Sequence, residues 1–139
     1  MDNQNLKFDF VFLGQSVLKY QVPLDIFTTI NQIYEQNYHN LERANGQLVG
    51  KIENEHSLFY HGKDQTKMKN HNMFPQNVTD YFMSIFNHYL TFNKIRDYDT
   101  HLNSIWVNEM KQHEYNPAHI HRGMLFTGLS SVMILKLPS

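Results

Sequence analysis

The chain has 139 residues, with 12 Lys and Arg against 13 Asp and Glu, nine His and no Cys. Such a length supports a single hydrophobic core, and the near-zero net charge gives no basic field for a nucleic-acid backbone. The missing thiols exclude disulfide scaffolds, thiolate zinc sites, iron–sulfur clusters and cysteine nucleophiles, so any metal must be held by nitrogen and oxygen.

In chain order, the N-terminal stretch from Met1 to Phe8 carries Asp2 and three amides where a signal peptide needs a basic start and an apolar stretch. The apolar run Val132 to Leu135, which no other exceeds, is far shorter than the roughly 20 residues of a membrane helix. A soluble, cytoplasmic protein is the expectation. Leu6, Phe8, Phe10 and Phe12 alternate with other residues at period two, which predicts a half-buried strand. Gly14 breaks the pattern, and Val17 to Val22 continues it as a second strand. Pro23 opens a segment in which Ile26, Phe27, Ile30, Ile33 and Tyr34 recur at helical spacing, predicting a helix from Asp25 to about Leu41.

From Ala44 to Pro75 the pattern loosens into glycines and a polar run, leaving room only for short strands around Leu48–Ile52 and Leu58–Tyr60. A second helix is predicted from Asn77, as cap, to near Asn93, with an apolar face of Phe82, Ile85, Phe86, Tyr89 and Leu90. The Asn77-Val78-Thr79 sequon is better read as that cap than as a glycosylation site. Ile105–Met110 and Gly128–Leu137 read as strands. The expected architecture is one mixed α+β domain spanning residues 1–139.

Four potential metal ligands, His113, Glu114, His119 and His121, fall within nine residues. A zincin helix needs two His four apart on one face. Here the spacing from His113 to His119 is six and Pro117 interrupts it, so that geometry fails. His119 and His121, two apart, share one side of an extended strand and could fill adjacent positions on a metal. Alternatively they face solvent or bond nearby carbonyls in a turn, and spacing does not choose between the two. The remaining histidines sit on a helix or in polar loops and are assigned no role. Trp106 invites a substrate-stacking role, but alone in an alternating strand it is read as core, while Tyr115 and Asn116 suit a pocket beside the metal or a turn.

Trp106-Val107-Asn108, Asn116-Pro117-Ala118-His119-Ile120-His121 and Leu129-Ser130-Ser131-Val132-Met133-Ile134-Leu135-Lys136-Leu137-Pro138 together resemble the centre of the 2-oxoglutarate and Fe(II)-dependent oxygenases of bacteria and their viruses. Val22-Pro23, Ile30-Asn31 and Leu48–Ile52 look like the N-terminal half of such proteins. The resemblance implies a double-stranded β-helix, or jelly roll, with N-terminal helices packed on it. It implies iron bound by His119, with His121 in the place of the family's carboxylate ligand. It also implies 2-oxoglutarate and dioxygen as co-substrates in the hydroxylation of a substrate carbon.

The chain departs from that pattern. Eighteen residues follow His121 and hold no His, Asp or Glu, so the family's distal His, and the Arg that binds the far carboxylate of 2-oxoglutarate, have no counterpart. Ser131 replaces a usual Gly, and Met133 and Ile134 stand where relatives carry Tyr. The chain is therefore expected to be a truncated or split member that closes its sheet with a partner chain, with His113 and Glu114 the nearest substitutes for a third ligand. The alternatives are a non-catalytic interaction domain derived from that fold, associating through Gly128–Leu137, and a His-rich zinc or copper site. Membrane and nucleic-acid partners are not expected.

Overall fold

A computed structural model describes residues 6–12, 16–43, 50–119 and 128–137. The fold is mixed α+β, with two helices and antiparallel sheets, in the order β1 (Phe8–Phe12), β2 (Ser16–Tyr20), α1 (Leu24–Asn37), a 3-10 turn (Tyr38–Asn40), β3 (Glu42–Arg43), β4 (Asn54–Tyr60), β5 (His71–Asn72), α2 (Gln76–Phe92) and β6 (Ser104–Glu109). By its contacts the chain forms two compact units, one of residues 1–32 and 74–102, the other of residues 33–73 and 103–139.

In the first unit β1 and β2 pair antiparallel from Phe8↔Tyr20 to Phe12↔Ser16, as period two predicts. Their rings continue onto α2: Phe8 lies 4.8 Å from the His88 ring and 6.2 Å from Phe92, and Phe10 lies 5.6 Å from Phe92. The Tyr20 hydroxyl lies 2.7 Å from His88 Nδ1 and 3.3 Å from the Ile85 carbonyl oxygen. Burial, with Tyr81 nearby, pushes that phenol up to about 12, so it stays protonated at any physiological pH. The Tyr89 hydroxyl donates to the Ser16 carbonyl at 2.9 Å, fixing the hairpin to the same helix.

The first intrahelical bond of α1 runs from Phe27 N–H to the Pro23 carbonyl at 2.9 Å, and Ile26 and Ile30, one turn apart, are its buried residues. The cap of α2 is Pro75 rather than Asn77: the Pro75 carbonyl accepts from Val78 N–H at 3.1 Å, and Asn77 already lies inside the helix. Proline suits that position because the missing N–H has no helical partner to lose. Val78, Thr79, Phe82, Ile85 and Leu90 form the buried face of α2.

Its C-terminus closes as a Schellman motif, with Lys94 N–H on the Thr91 carbonyl at 3.0 Å and Ile95 N–H on the Leu90 carbonyl at 3.0 Å. Lys94 stands at φ 57°, the left-handed position at which a side chain costs energy and glycine does not. Lys94→Gly is accordingly expected to stabilise the chain by about 0.5–1 kcal/mol. A lower denaturation midpoint in urea would count against this.

In the second unit β4 is the centre of a four-stranded antiparallel sheet. β6 runs along one edge of it, from Asn54↔Glu109 to Tyr60↔Ser104. The other edge is shared end to end by β3, at Glu42↔Ser57 and Arg43↔His56, and β5, at Phe59↔Asn72 and Tyr60↔His71. Leu58 sits at a bulge in the β6 pairing, is fully buried, and gives its carbonyl to Met73 N–H at 3.0 Å. Residues 54–58 are all buried, on both faces.

Further expectations fail in this unit. Trp106, read as core, is 37% exposed on β6 opposite Ser57. Residues 128–137, read as a strand, join no sheet among the described residues, and Val132 is 92% exposed. Residues of high strand propensity form a strand only when a neighbouring edge pairs with them. Among the described residues β6 pairs with β4 alone, and residues 128–137 do not add to it.

Candidate functional site

The histidine turn belongs to the second unit and is built on the segment just before β4. Lys51 and Tyr115 exchange backbone hydrogen bonds of 3.0 and 3.1 Å, an isolated antiparallel bridge. Gly50 makes that approach possible, because a Cβ there would stand 2.2 Å from the Tyr115 carbonyl oxygen and 2.8 Å from Pro117 Cδ. Before the bridge, Glu114 N–H bonds the Lys111 carbonyl at 3.1 Å, closing a turn in which His113 takes φ 68°.

The Glu114 carboxylate accepts from Glu53 N–H on Oε1 at 3.0 Å and from Lys111 N–H on Oε2 at 2.7 Å. The Lys111 N–H first, then the Glu53 N–H and the positive charges of Lys111 and Lys51, hold its pKa below the usual carboxylate range. Glu114 suggests itself as a ligand only by its nearness to His119 in the chain, and its carboxylate is instead engaged by the backbone. His113 is exposed.

His119 ends this anchored stretch. It is exposed, and Nδ1 lies 2.7 Å from the Pro117 carbonyl oxygen. That contact selects the tautomer with hydrogen on Nδ1 and the basic lone pair on Nε2. His121 and the proposed pairing of the two rings lie outside the described residues. Among the described residues no three His, Asp or Glu side chains form a group that could hold a metal ion.

Two arrangements in the same unit have no signal in the sequence. His56, on β4, is only 2% exposed, and neither ring nitrogen has a hydrogen-bond partner among the described residues. The Tyr38 ring lies against it at 4.8 Å and the Tyr34 ring at 6.0 Å. Glu109 Oε2 accepts from Tyr38 at 3.1 Å and from Asn54 Nδ2 at 2.9 Å. Burial foremost, and then the Arg43 charge, push the His56 pKa down, with Glu109 opposing, so the ring is neutral at pH 7. Burial, then Glu109 and Tyr38, push the Tyr34 phenol up to about 12.

The second arrangement pairs Ser57 Oγ with His71 Nε2 at 2.9 Å, while His71 Nδ1 faces the Lys69 carbonyl at 2.9 Å and Glu42 Oε2 at 3.8 Å. It has the order of a serine, a base and an acid. Ser57 is only 3% exposed, however, so the pair joins β4 to β5 rather than presenting a nucleophile.

No family model matches the chain, and comparison with curated proteins and with solved structures gives no match either. No helix among the described residues is long and apolar enough to cross a membrane.

Proposed function

We propose that this chain is an Fe(II)- and 2-oxoglutarate-dependent oxygenase domain of hydroxylase type, built on a partial jelly roll, with His119 as the first ligand and His121 in the place of the carboxylate. The resemblance of Trp106–Asn108, Asn116–His121 and Leu129–Pro138 supports it. The structural observation that carries it is the setting of His119. Metal-binding imidazoles almost always donate their second N–H to a carbonyl or carboxylate, and His119 does so to Pro117 from an exposed, anchored turn.

His119 therefore fits one nitrogen ligand, and with His121 proposed as the second, a partner chain that completes the sheet is the proposed source of the third. Iron bound there would supply the activation of dioxygen that couples 2-oxoglutarate decarboxylation to hydroxylation of a carbon. The chain's own part is to hold His119 in one tautomer and orientation. The expected result is Fe(II) binding and succinate release by the wild type, both weakened at least about tenfold in His119→Ala. Equal behaviour of the two proteins would sink the assignment.

A second reading is a non-catalytic interaction domain derived from the same fold. It is favoured by the exposure of Val132 (92%), Ile134 (64%) and Leu137 (70%) in residues 128–137. An apolar segment that joins no sheet among the described residues suits addition to the sheet edge of another chain. Under this reading a folded wild type shows no iron-dependent succinate release.

A further inference from the structure

We propose that residues 38–43, the 3-10 turn with β3, form a strap over β4 that protonation of His56 releases while the pairing of β4 with β6 holds. The strap is short and lightly held. β3 pairs with β4 at Glu42↔Ser57 and Arg43↔His56 alone, whereas β6 runs beside β4 from Asn54↔Glu109 to Tyr60↔Ser104. Side chains fasten it further. The Tyr38 hydroxyl donates to Glu109 Oε2 on β6 at 3.1 Å, Arg43 Nη1 donates to the Glu53 carbonyl at 2.9 Å, and Glu42 Oε2 lies 3.8 Å from His71 Nδ1.

Beneath the strap His56 is buried with two ring nitrogens that bond nothing among the described residues, and the Tyr34 hydroxyl from α1 is likewise buried without a partner among them. A neutral ring tolerates this setting. An imidazolium does not, because a buried cation needs an acceptor for each N–H and a compensating charge. The charges facing it are Arg43 on β3, of the same sign, and Glu109 on β6. Tyr34, by burial first, and Tyr38, by its bond to Glu109 first, keep their phenols protonated and offer no charge. Glu109 Oε2 is already engaged by Tyr38 and by Asn54 Nδ2 at 2.9 Å. Protonation sets the imidazolium in competition with Tyr38 for that carboxylate, and water reaches the ring once Tyr38, which lies against it, lifts away. Both events loosen the strap. The released form takes up its proton near the ordinary imidazole value of 6.5 and the closed form only lower, so between the two values each fall of one pH unit favours release by about tenfold.

Native-state amide exchange, corrected for the intrinsic effect of pH, separates release of the strap from unfolding. Amides that join β3 to β4 should exchange through an opening that low urea leaves unchanged, because little surface is exposed, while those of the β4–β6 ladder should exchange through one that urea promotes. Below pH 6.5 the strap opening should rise in wild type by up to about tenfold per pH unit, and stay level in His56→Leu, which keeps Glu42, His71 and Glu109. Tyr38→Phe, which keeps the ring and loses one hydrogen bond, should open several-fold more at pH 7 and retain the response to acid. If the β3 amides exchange through the same urea-sensitive opening as those of β6, the strap is overturned. If His56→Leu responds to pH as wild type does, His56 is overturned as its trigger, and if Tyr38→Phe opens no more than wild type at pH 7, so is the Tyr38 fastening.

Discussion

Leu58→Ala is expected to destabilise the chain by about 2–5 kcal/mol, the range for removing a fully buried leucine from a close-packed interior. Leu58 has no exposed surface and occupies the bulge at which β4 departs from simple register with β6. Its backbone is held by Met73, so the strand cannot slide to fill the void. For a chain of this size the loss corresponds to a fall of roughly 10 °C in melting temperature. Val132→Ala is the control: at 92% exposure its effect should stay within about 0.5 kcal/mol. Thermal melts of the two variants decide the matter, and a loss below about 1 kcal/mol for Leu58→Ala would mean that the β4 bulge is not closed.

The second large effect is on acid stability. His56 is buried and its pKa is lowered in the folded state, so well above its ordinary pKa of 6.5 it is neutral both folded and unfolded and contributes no pH dependence. As the pH falls below that value, the unfolded chain takes up the proton first. Stability is then lost until the pH reaches the folded-state pKa, by about 1.4 kcal/mol for each pH unit between the two values. Glu114 also loses stability in acid, but its carboxyl begins to do so only near its ordinary pKa of 4.5. Glu55 works in the other direction: burial raises its pKa, so the folded chain takes up that proton first and gains stability as the pH falls. Both carboxyls are common to wild type and His56→Leu, so the difference between the two profiles from pH 7 to 5 belongs to His56. His56→Leu, which removes two buried nitrogens that have no partner among the described residues, should lose less stability over that interval than wild type. Urea melts at pH 7, 6 and 5 test this, and parallel profiles for wild type and variant would refute it.

The elements legible in the sequence are those whose pattern is local. Alternating phenylalanines mark β1, and the spacing of Ile26 and Ile30 marks α1. β4 reads too short, because Asn54, Glu55, His56 and Ser57 look like a loop and become a buried strand only through β3 and β6. Residues 128–137 err in the opposite direction, having strand-like composition and no pairing among the described residues. The site divides in the same way. His119 is visible as half of a short motif. The bonding of Glu114 is not, because one of its partners is a backbone N–H 61 residues away, and a backbone donor leaves no mark in a sequence.

The placement of β4 also bears on the order in which the chain assembles. The β1–β2 hairpin closes over a few residues and α1 over single turns, so both can form as soon as their residues are available. The four-stranded sheet cannot. Its central strand, at 54–60, meets its longest partner only when 104–109 arrives, with all of α2 between them in the chain. Loop closure over that distance costs entropy before any pairing compensates it. By that cost the hairpin and helices are expected to form before β6 pairs with β4, and kinetic refolding followed by amide protection of β6 would check this order.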